Sequence, residues 1–549
     1  MTTTVNTAGT AAAGHRLPTR ERWLALAVLC LSLLIVTLDN TVLNVVLPTL
    51  VRVLSATSSE LQWIVDAYVI VFAGLLLTAG SVADRVGRKR TFLIGLLLFA
   101  AGSTWAAFSG SVPVLITARA SMGIGGALIM PSTLAIITNM FSDNGERRRA
   151  IGFWAGTSGL GIALGPIIGG LLLAHFWWGS VFLINVPIAL LALGLALWLV
   201  PDSRNPAAAA PDLTGALLSM AGLGLLLWSI IEAPVHGWGS GLVIGSGLAG
   251  LAVLAAFTWW ERVTAHPMLN LSFFRERAFS AAISSVGLAM LGLFGSLFVL
   301  TQFLQFDLGY TPLQAGVRVL PAAGAIALFA PVSALLQRAI GTKLTVALGS
   351  LTVAAGLWQI SLATAGSTYP DIVAGMIMLG IGAGLVIPAA TTSVMGSVPA
   401  EHTGVGSATN GAVLQVGGAL GVAIIGSLLS TRYQGKMISR LAGYRVPEPI
   451  MHSILGSVGG ALDVAARLGG SLGAELSHAA RSAFISGMGL GLATGAAVAV
   501  GGCILAVATL PGRGRRVAPA NPPEAEVPPD GERPDGRGPS ALPVSRGDR

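Results

Sequence analysis

The sequence is poor in charge, cysteine and tyrosine for its length. Of its 549 residues, 10% are charged, five are tyrosine and two are cysteine, whereas soluble globular proteins carry about 25% charged residues. Cys30 and Cys503 lie far apart in apolar segments and supply neither a disulfide framework nor the spacing of a metal site. The sequence also has no G-x-x-x-x-G-K-[ST] phosphate loop, His/Cys metal cluster or nucleophile–base set. We therefore expect no enzyme, no ATP-driven transport and no cofactor.

Apolar residues dominate instead. Hydrophobic residues make up 53% of the chain and the mean hydropathy is +0.77, which places the protein in the membrane class. The 72 glycines follow no collagen-like period and suit close packing of membrane helices. The net charge of +8 arises in short basic loops between apolar segments, so we expect no nucleic-acid partner. The first apolar run is too long for the core of a signal peptide, and we expect it to remain as an anchor.

The apolar runs have the length of membrane helices. A bilayer core of ~30 Å requires roughly 20 residues per helix, and this criterion divides the chain into 14 predicted spans. They cover Trp23–Leu47, Leu61–Val82, Thr91–Ser109, Val112–Leu134, Ala150–Leu172, Phe176–Val200, Thr214–Glu232, Ser240–Trp260, Phe279–Gln302, Pro312–Leu336, Leu344–Ala365, Asp371–Met395, Gly404–Ser430 and Ala483–Leu510. The predicted fold class is an all-α polytopic membrane protein.

Basic residues occupy alternate loops and set the expected orientation. They precede the first span and follow spans 2, 4 and 8: Arg16, Arg20, Arg22, Arg85, Arg88, Lys89, Arg90, Arg147, Arg148, Arg149, Arg262, Arg275 and Arg277. The positive-inside rule then places both termini in the cytoplasm. The segment 431–482 lies outside despite its arginines, because the rule weakens for long loops.

An internal repeat suggests the domain organisation. DRVGRK (84–89) follows span 2 and QRAIGTK (337–343) follows span 10, while spans 5 and 13 carry GIALGPIIGG and VGGALGVAIIG. We expect two related six-helix bundles, with two extra helices between them and a site at their interface. The predicted parts are a disordered tail 1–22, the bundle 23–200, the inserted helices 201–278, the bundle 279–510 with an external helical hairpin 431–482, and a disordered tail 511–549. Helical spacing in Gly459–Leu468 and Ser471–Ser482 suggests the hairpin.

The stretch LIVTLDNTVLNVVLP (34–48) places a carboxylate and two amides in an otherwise apolar span. A charge at the bilayer centre costs at least ~2.5–3.5 kcal/mol, so Asp39 requires a partner, water or a proton. At 1.5 Å per residue, Asp39 lies roughly 12 Å below the predicted outer end of its span. Asp66 and Arg119 lie about one and a half and two turns below the outer ends of theirs. All three are therefore expected in the outer half of the N-terminal bundle.

These residues suggest ion-coupled transport. A carboxyl group in a poorly solvated cavity can exchange its proton when the geometry or the solvent access changes. We expect Asp39 to take a proton from outside and release it inside, in competition with a lipophilic cation. The alternative is a buried Asp39–Arg119 ion pair that serves packing alone. Asp66 is expected to hold cations at the outer vestibule, or else to be an ordinary interfacial charge.

Five motifs together resemble the 14-helix drug:proton antiporter branch of the major facilitator superfamily, of the EmrB/QacA type. The motifs are LDNTVLNVVLP (38–48), WIVDAY (63–68), GSVADRVGRKR (80–90), LITARASMGIGGA (115–127) and GIALGPIIGG (161–170). The long loop before the last span also resembles that of exporters of quaternary ammonium compounds, dyes and methyl viologen. The resemblance implies the major facilitator fold for spans 1–14.

The predicted site residues form three groups. Proton coupling is assigned to Asp39 and Arg119; substrate binding to Asp66, Trp63, Asn44 and Glu232; and gating to Asp84, Arg85, Gly87, Arg88, Gly165 and Pro166. The resemblance implies a latch in which Asp84 meets the positive end of a facing helix in the outward-open state. The alternatives are a topology determinant for the loop and small-residue packing for Gly165–Pro166. For Glu232 and Asp307 the two interpretations are an added negative potential for cations and an ordinary loop charge. For the aromatic residues they are stacking on a planar cation and packing; these residues are Trp63, Phe153, Trp154 and Phe294.

We therefore expect a proton-coupled efflux antiporter of the bacterial inner membrane that exports amphipathic, mainly cationic compounds. Its partners would be small lipophilic substrates, protons and the lipid bilayer, and the protein would act as a monomer. The span containing Asn410 and Gln415 carries no carboxylate, whereas some members of the family that it resembles have one there. The resemblance therefore argues against a high proton-to-drug ratio for doubly charged substrates. The alternatives are a dedicated exporter of one metabolite or antibiotic, and a membrane sensor that does not transport.

Overall fold

A computed structural model describes residues 18–204, 210–399 and 403–510, which are helical and contain no strands. The first bundle comprises α1 (Thr19–Leu54), α2 (Ser58–Val86), α3 (Arg88–Ala107), α4 (Val112–Met140), α5 (Asn144–His175), α6 (Ser180–Leu183) and α7 (Asn185–Leu199). Next come α8 (Leu213–Ile231), the single turn α9 (Ala233–His236), α10 (Gly241–Val263) and a 3₁₀ turn at Leu271–Arg275. The second bundle comprises α11 (Arg277–Gln302, extended by a π-helical turn Phe303–Asp307), α12 (Pro312–Ile340), α13 (Thr342–Ser361), α14 (Tyr369–Gly396), α15 (Thr403–Leu441), α16 (Glu448–Gly456), α17 (Val458–Leu468) and α18 (Gly470–Thr509).

Fourteen helical segments in the described ranges are long and apolar enough to cross a membrane, with α6 and α7 together forming the sixth. The sequence-based count of 14 is therefore confirmed. The predicted start of the last span at Ala483 is wrong. Ser471–Ser482 is helical, as predicted, but it forms the first part of the continuous helix α18 (Gly470–Thr509) and not a separate arm of a hairpin. The tails 1–17 and 511–549 lie outside the described residues, so the disorder expected there stays a prediction.

Corresponding turns end α2 and α12. Gly87 and Gly341 follow these helices with φ of +127° and +86°, a backbone conformation that glycine adopts without a Cβ penalty. Both helices also begin at a capping box, Thr57 with Glu60 and Thr311 with Gln314. The two loops that resemble each other in sequence therefore occupy equivalent places in the two bundles.

Close glycine contacts join equivalent helix pairs within each bundle. A Cβ added to Gly125 of α4 would lie 2.6 Å from the backbone nitrogen of Phe99 on α3. A Cβ added to Gly356 of α13 would lie 2.6 Å from the carbonyl oxygen of Gly375 on α14. In lipid, the hydrophobic effect does not drive helices together, so they associate through close backbone packing of this kind.

The inserted helices α8 and α10 pack on each other and against α2. A Cβ on Gly250 of α10 would lie 2.7 Å from the backbone nitrogen of Leu226 on α8. The Thr78 hydroxyl of α2 donates to the backbone carbonyl of Asp212, the N-cap of α8, at 3.2 Å. The two extra helices are thus anchored to the first bundle.

We call the face that carries the loops 84–90 and 141–149 the basic face, and the opposite one the external face. These names follow the predicted orientation, with the basic face towards the cytoplasm. Arg22 at the start of α1 bonds Glu146 at the start of α5 at 2.9 Å on the basic face. On the external face, α16 and α17 lie over the helix ends, where a Cβ on Gly459 would lie 2.6 Å from Val51 and 2.7 Å from Phe306.

Candidate functional site

Asp39 and Arg119 form a buried ion pair between α1 and α4. The Arg119 Nη1 group donates to Asp39 Oδ2, and the side chains are 0% and 1% exposed. The two residues that the sequence predicts at similar depths are therefore in direct contact. Because α1 continues to Leu54, beyond its predicted end, Asp39 lies nearer the middle of its helix than expected. Each charge neutralises the other, which lowers the cost of their burial.

Asn185 completes the coordination of Asp39. Its side-chain amide donates to Asp39 Oδ1 at 3.2 Å and to the Ser103 hydroxyl at 3.1 Å, and both residues are buried. Sequence analysis missed Asn185, although an amide within the apolar run VFLINVPIALL was an available signal. Asn185 therefore links the Asp39 carboxylate to α7 and, through Ser103, to α3.

The α2 backbone and an aromatic ring hold the Arg119 guanidinium from the other side. Arg119 Nε donates to the Ile64 carbonyl at 3.1 Å, and the guanidinium carbon lies 4.5 Å from the centroid of the Tyr68 ring. Ile64 and Tyr68 are one turn apart and therefore share a side of α2. A cation over an aromatic face gains additional electrostatic stabilisation.

Asp66 is not part of this pair. It is 0% exposed, and neither carboxylate oxygen has a hydrogen-bond partner among the described residues. Gln62, one turn earlier on the same side of α2, accepts a hydrogen bond from Ser427 of α15 at 3.3 Å. The three charges that the sequence places at one depth thus divide into a neutralised pair inside the first bundle and a lone carboxyl group on the α15 side of α2. A buried carboxylate without a partner is costly, so this position favours a proton or a bound cation.

Trp63 and Glu232, both predicted to bind substrate, contact each other near the external face. The Trp63 indole N–H donates to Glu232 Oε1 at 3.0 Å, which joins α2 to the end of α8. Asn44 is buried, and its amide lies 3.5 Å from the Asn40 carbonyl of its own helix. Their roles in substrate binding stay predictions.

Contacts between the two bundles form what we call the external seam. The Gln305 amide donates to the Val45 carbonyl at 3.0 Å, and Gln62 bonds Ser427 as described. Glycine contacts between α5 and α12 also belong to the external seam. A Cβ on Gly170 would lie 2.5 Å from Cα of Leu313.

The predicted gating pair Gly165–Pro166 lies where α5 contacts both α1 of its own bundle and α12 of the second bundle. A Cβ on Gly165 would lie 3.0 Å from Cβ of Thr41 on α1. A Cβ on Gly316 of α12 would lie 2.8 Å from the carbonyl carbon of Pro166. α5 therefore packs on α1 through one residue and on the second bundle through the next.

Towards the basic face, α5 and α12 separate. A Cβ built on Gly152, Gly156 or Gly159 of α5, or on Gly324 of α12, would meet no atom within 4 Å. Leu328 of α12 is also 65% exposed. The structure is thus closed at the external seam and parted between these two helices on the basic face, a state that the sequence did not reveal.

The predicted latch residues lie on the basic face and bond within the first bundle. Arg88 donates to Asp84 at 2.7 Å, and its backbone N–H donates to the Ser203 carbonyl at 2.9 Å. Arg85 is exposed, and Gly87 provides the turn with positive φ. In this state Asp84 is paired inside its own loop. A latch with a facing helix in the outward-open state stays a prediction.

The aromatic candidates are dispersed. Trp154 donates to the Thr133 hydroxyl at 3.1 Å, Phe153 packs edge-on against Trp23 at 5.9 Å, and Phe294 packs beside Gly418. Their stacking on a cation also stays a prediction. Within residues 18–204, 210–399 and 403–510, no group of three or more His, Cys, Asp or Glu side chains could hold a metal ion.

Comparison with known proteins assigns this arrangement to a family. A sequence profile described as Major Facilitator Superfamily matches residues 29–422. The multidrug efflux pump LfrA of Mycolicibacterium smegmatis is 37% identical over 86% of this chain and 93% of its own length. The tetracenomycin C resistance and export protein of Streptomyces glaucescens is 34% identical, over 89% and 91%. The methyl viologen resistance protein SmvA of Salmonella typhimurium is 34% identical, over 85% and 93%.

The fold comparison agrees with the sequence comparison. A bacterial homologue of the human lysosomal transporter Spinster, solved in an inward-facing and unoccupied conformation, superposes with a TM-score of 0.61. The match covers 90% of this chain and all of that structure, at 16% sequence identity. At this identity the likeness concerns the fold alone.

Proposed function

The chain belongs to the major facilitator superfamily, and on this basis we propose that it is a proton-coupled multidrug efflux antiporter. Its substrates would be amphipathic, mainly cationic compounds such as quaternary ammonium compounds, dyes and methyl viologen. Similarity to LfrA and SmvA over most of the chain supports this substrate class. The protein would act as a monomer in the bacterial inner membrane, with both termini in the cytoplasm, and would catalyse no chemical reaction.

One structural observation carries the proposal: the buried Asp39–Arg119 pair with its Asn185 and Ser103 contacts. A proton on Asp39 would remove the charge that holds Arg119 and weaken the link between α1 and α4. Loss of that proton would restore the link. The ionisation of one carboxyl group would therefore alter how the helices of the first bundle pack, as a proton-driven cycle requires.

Asp66 provides the second element of the mechanism. Its unpaired carboxyl group lies on the side of α2 that faces α15, next to the contact of Gln62 with Ser427. A lipophilic cation and a proton would compete for this negative charge. Substrate binding would therefore displace a proton, which is the simplest physical form of antiport.

The conformation supports the direction of transport. The external seam is closed while α5 and α12 are separated on the basic face, so substrate would enter from the cytoplasm. Rocking of one bundle against the other would break the seam and open the external side. Asp84, released from Arg88, would then be free to latch the basic face.

Ethidium extrusion from proteoliposomes driven by an imposed pH gradient tests this function. We expect a gradient-dependent rate in the native protein, no pH-driven extrusion in Asp39→Asn, and native behaviour in the matched control Glu21→Gln. Glu21 is an exposed carboxylate at the start of α1. Undiminished pH-driven extrusion by Asp39→Asn would contradict the assignment, as would a folded native protein that moves no cation from a dye panel.

A dedicated exporter of one natural product is the second candidate. Similarity to the tetracenomycin C export protein over 89% of the chain favours it. A panel of dyes, quaternary ammonium compounds and aromatic polyketides separates the two candidates. Extrusion of a single compound would support the dedicated exporter, whereas extrusion of several unrelated cations would support multidrug efflux.

A further inference from the structure

The external segments of the second bundle line a partly open cavity of about 1090 Å³. The cavity lies between the external end of α15, the helices α16 and α17, and the start of α18. Its volume slightly exceeds the ~300–1,000 Å³ that is typical of ligand pockets. None of the predicted transport residues lines it, so it belongs to a different part of the molecule.

The inner end of the cavity lies at the expected external boundary of the hydrocarbon core. Leu490 lines it and lies about 28 Å from Thr509 along α18, at 1.5 Å per residue. This distance is close to the ~30 Å thickness of the hydrocarbon core. The cavity therefore begins where the hydrocarbon region ends on the external side, and it extends outwards from there.

Four cations line the cavity without partners. Arg432, Lys436 and Arg440 follow one another at intervals of four residues and so share one side of α15; Arg445 follows the helix. None of the four makes a hydrogen bond or ion pair with another described side chain, while Glu475 is the single carboxylate in the lining. The cavity wall therefore carries a net positive charge.

Apolar side chains from the other helices also line the cavity. Leu468 and Leu472 are each 57% exposed, and Ile450 and Leu476 are further members of the lining. Cations and apolar side chains in one cavity match a ligand with an anionic head and hydrocarbon chains. Basic pockets between membrane helices bind anionic lipid headgroups on the cytoplasmic side of membranes.

We propose that this cavity binds an anionic phospholipid from the external leaflet. The phosphate oxygens accept charge-assisted hydrogen bonds from Arg432 and Arg440, and an acyl chain passes Leu490 into the hydrocarbon core. A bound lipid would fix α15 and α18 to the helices over the external face.

Lipid binding to the purified full chain tests the proposal independently of transport. Phosphatidylglycerol, phosphatidylcholine and glycerol phosphate are added separately to delipidated protein in detergent. Native mass spectrometry then measures retention, and a thermal melt measures stabilisation. The variants are Arg432→Gln/Arg440→Gln and Ala479→Trp, which keeps every cation but fills the cavity. The control is Arg467→Gln, because Arg467 is an exposed cation of α17 outside the lining.

We expect native protein and Arg467→Gln to retain phosphatidylglycerol and to melt at a higher temperature with it than with phosphatidylcholine. The double variant should bind it about tenfold more weakly, and Ala479→Trp should lose the stabilisation. A variant that melts as the native protein does without lipid is folded. Equal effects of the two lipids, native affinity in both variants, or an equal effect of glycerol phosphate would overturn the proposal; the last result would indicate a soluble-anion site.

Discussion

Arg119 of α4 donates to the carboxylate of Asp39 on α1, and both side chains are buried. Asp66, at a comparable depth on α2, has no hydrogen-bond partner among the described residues. The first bundle thus holds one compensated and one uncompensated carboxyl group. In the proposed mechanism, this difference gives the two residues separate roles.

Arg119→Gln should destabilise the protein by ~3–5 kcal/mol, because it leaves Asp39 buried without a counter-charge. Asp39→Asn combined with Arg119→Gln should recover most of that loss, since no charge is then left unpaired, yet it should not restore transport. Denaturant unfolding of the two purified variants measures the stability. If Arg119→Gln alone is as stable as the native protein, water already solvates Asp39 and the expected cost is absent.

Asn185→Leu should lower the maximal efflux rate about tenfold at unchanged KM, because a hydrogen bond to a charged group contributes ~1.5–3 kcal/mol. Asn185 positions the carboxyl group of Asp39 and makes no contact at the external seam. Ser103→Ala, which removes only the second acceptor of the Asn185 amide, is the matched control and should have a smaller effect. A rise in KM with an unchanged maximal rate would instead assign Asn185 to substrate binding.

Asp66→Asn should impair doubly charged substrates more than singly charged ones, because the Coulomb energy is proportional to substrate charge. If ethidium binds about tenfold more weakly, methyl viologen should bind about a hundredfold more weakly. Competition binding to purified protein measures both, with Glu21→Gln as the control. Equal losses for the two cations would contradict a direct charge interaction.

Gly316→Ala should loosen the external seam, because its new methyl group would press on the carbonyl of Pro166. Overpacking of this kind costs ~1–3 kcal/mol, which corresponds to about a tenfold gain of the outward-open population. The measurement is labelling of Ser427→Cys by an impermeant maleimide from the external side, in a Cys30→Ser/Cys503→Ser background. Gly324→Ala on the same helix has nothing within 4 Å and should leave labelling unchanged; equal labelling of both variants would argue against the seam.

Length and hydropathy predicted the number of spans because lipid cannot satisfy exposed backbone groups, so each crossing must be a continuous apolar helix. The boundaries failed where helices continue into water. α15 runs to Leu441, and α18 starts at Gly470 rather than Ala483. Outside the bilayer, hydropathy no longer limits a helix, and capping and packing determine its end.

The candidate site was predictable in part. Counting residues from the helix ends placed Asp39 and Arg119 at similar depths. The structure shows them in contact, because their helices belong to the same bundle. Depth alone also grouped Asp66 with them. Asp66, however, lies on the same side of α2 as Gln62, whereas Tyr68, which contacts Arg119, lies on a different side. Asn185 was missed because a single amide carries little signal until its neighbours are known.

The amino-acid sequence by itself determined the membrane class, the 14 crossings, the family motifs and the presence of buried charges, because each of these depends on composition and on order along one helix. The tertiary structure alone decided which charges are paired, where the two bundles touch and that the external seam is closed. Those features depend on helix rotation and on backbone contacts at Gly170 and Gly316, which arise between segments distant in the chain and leave no periodic pattern within either one.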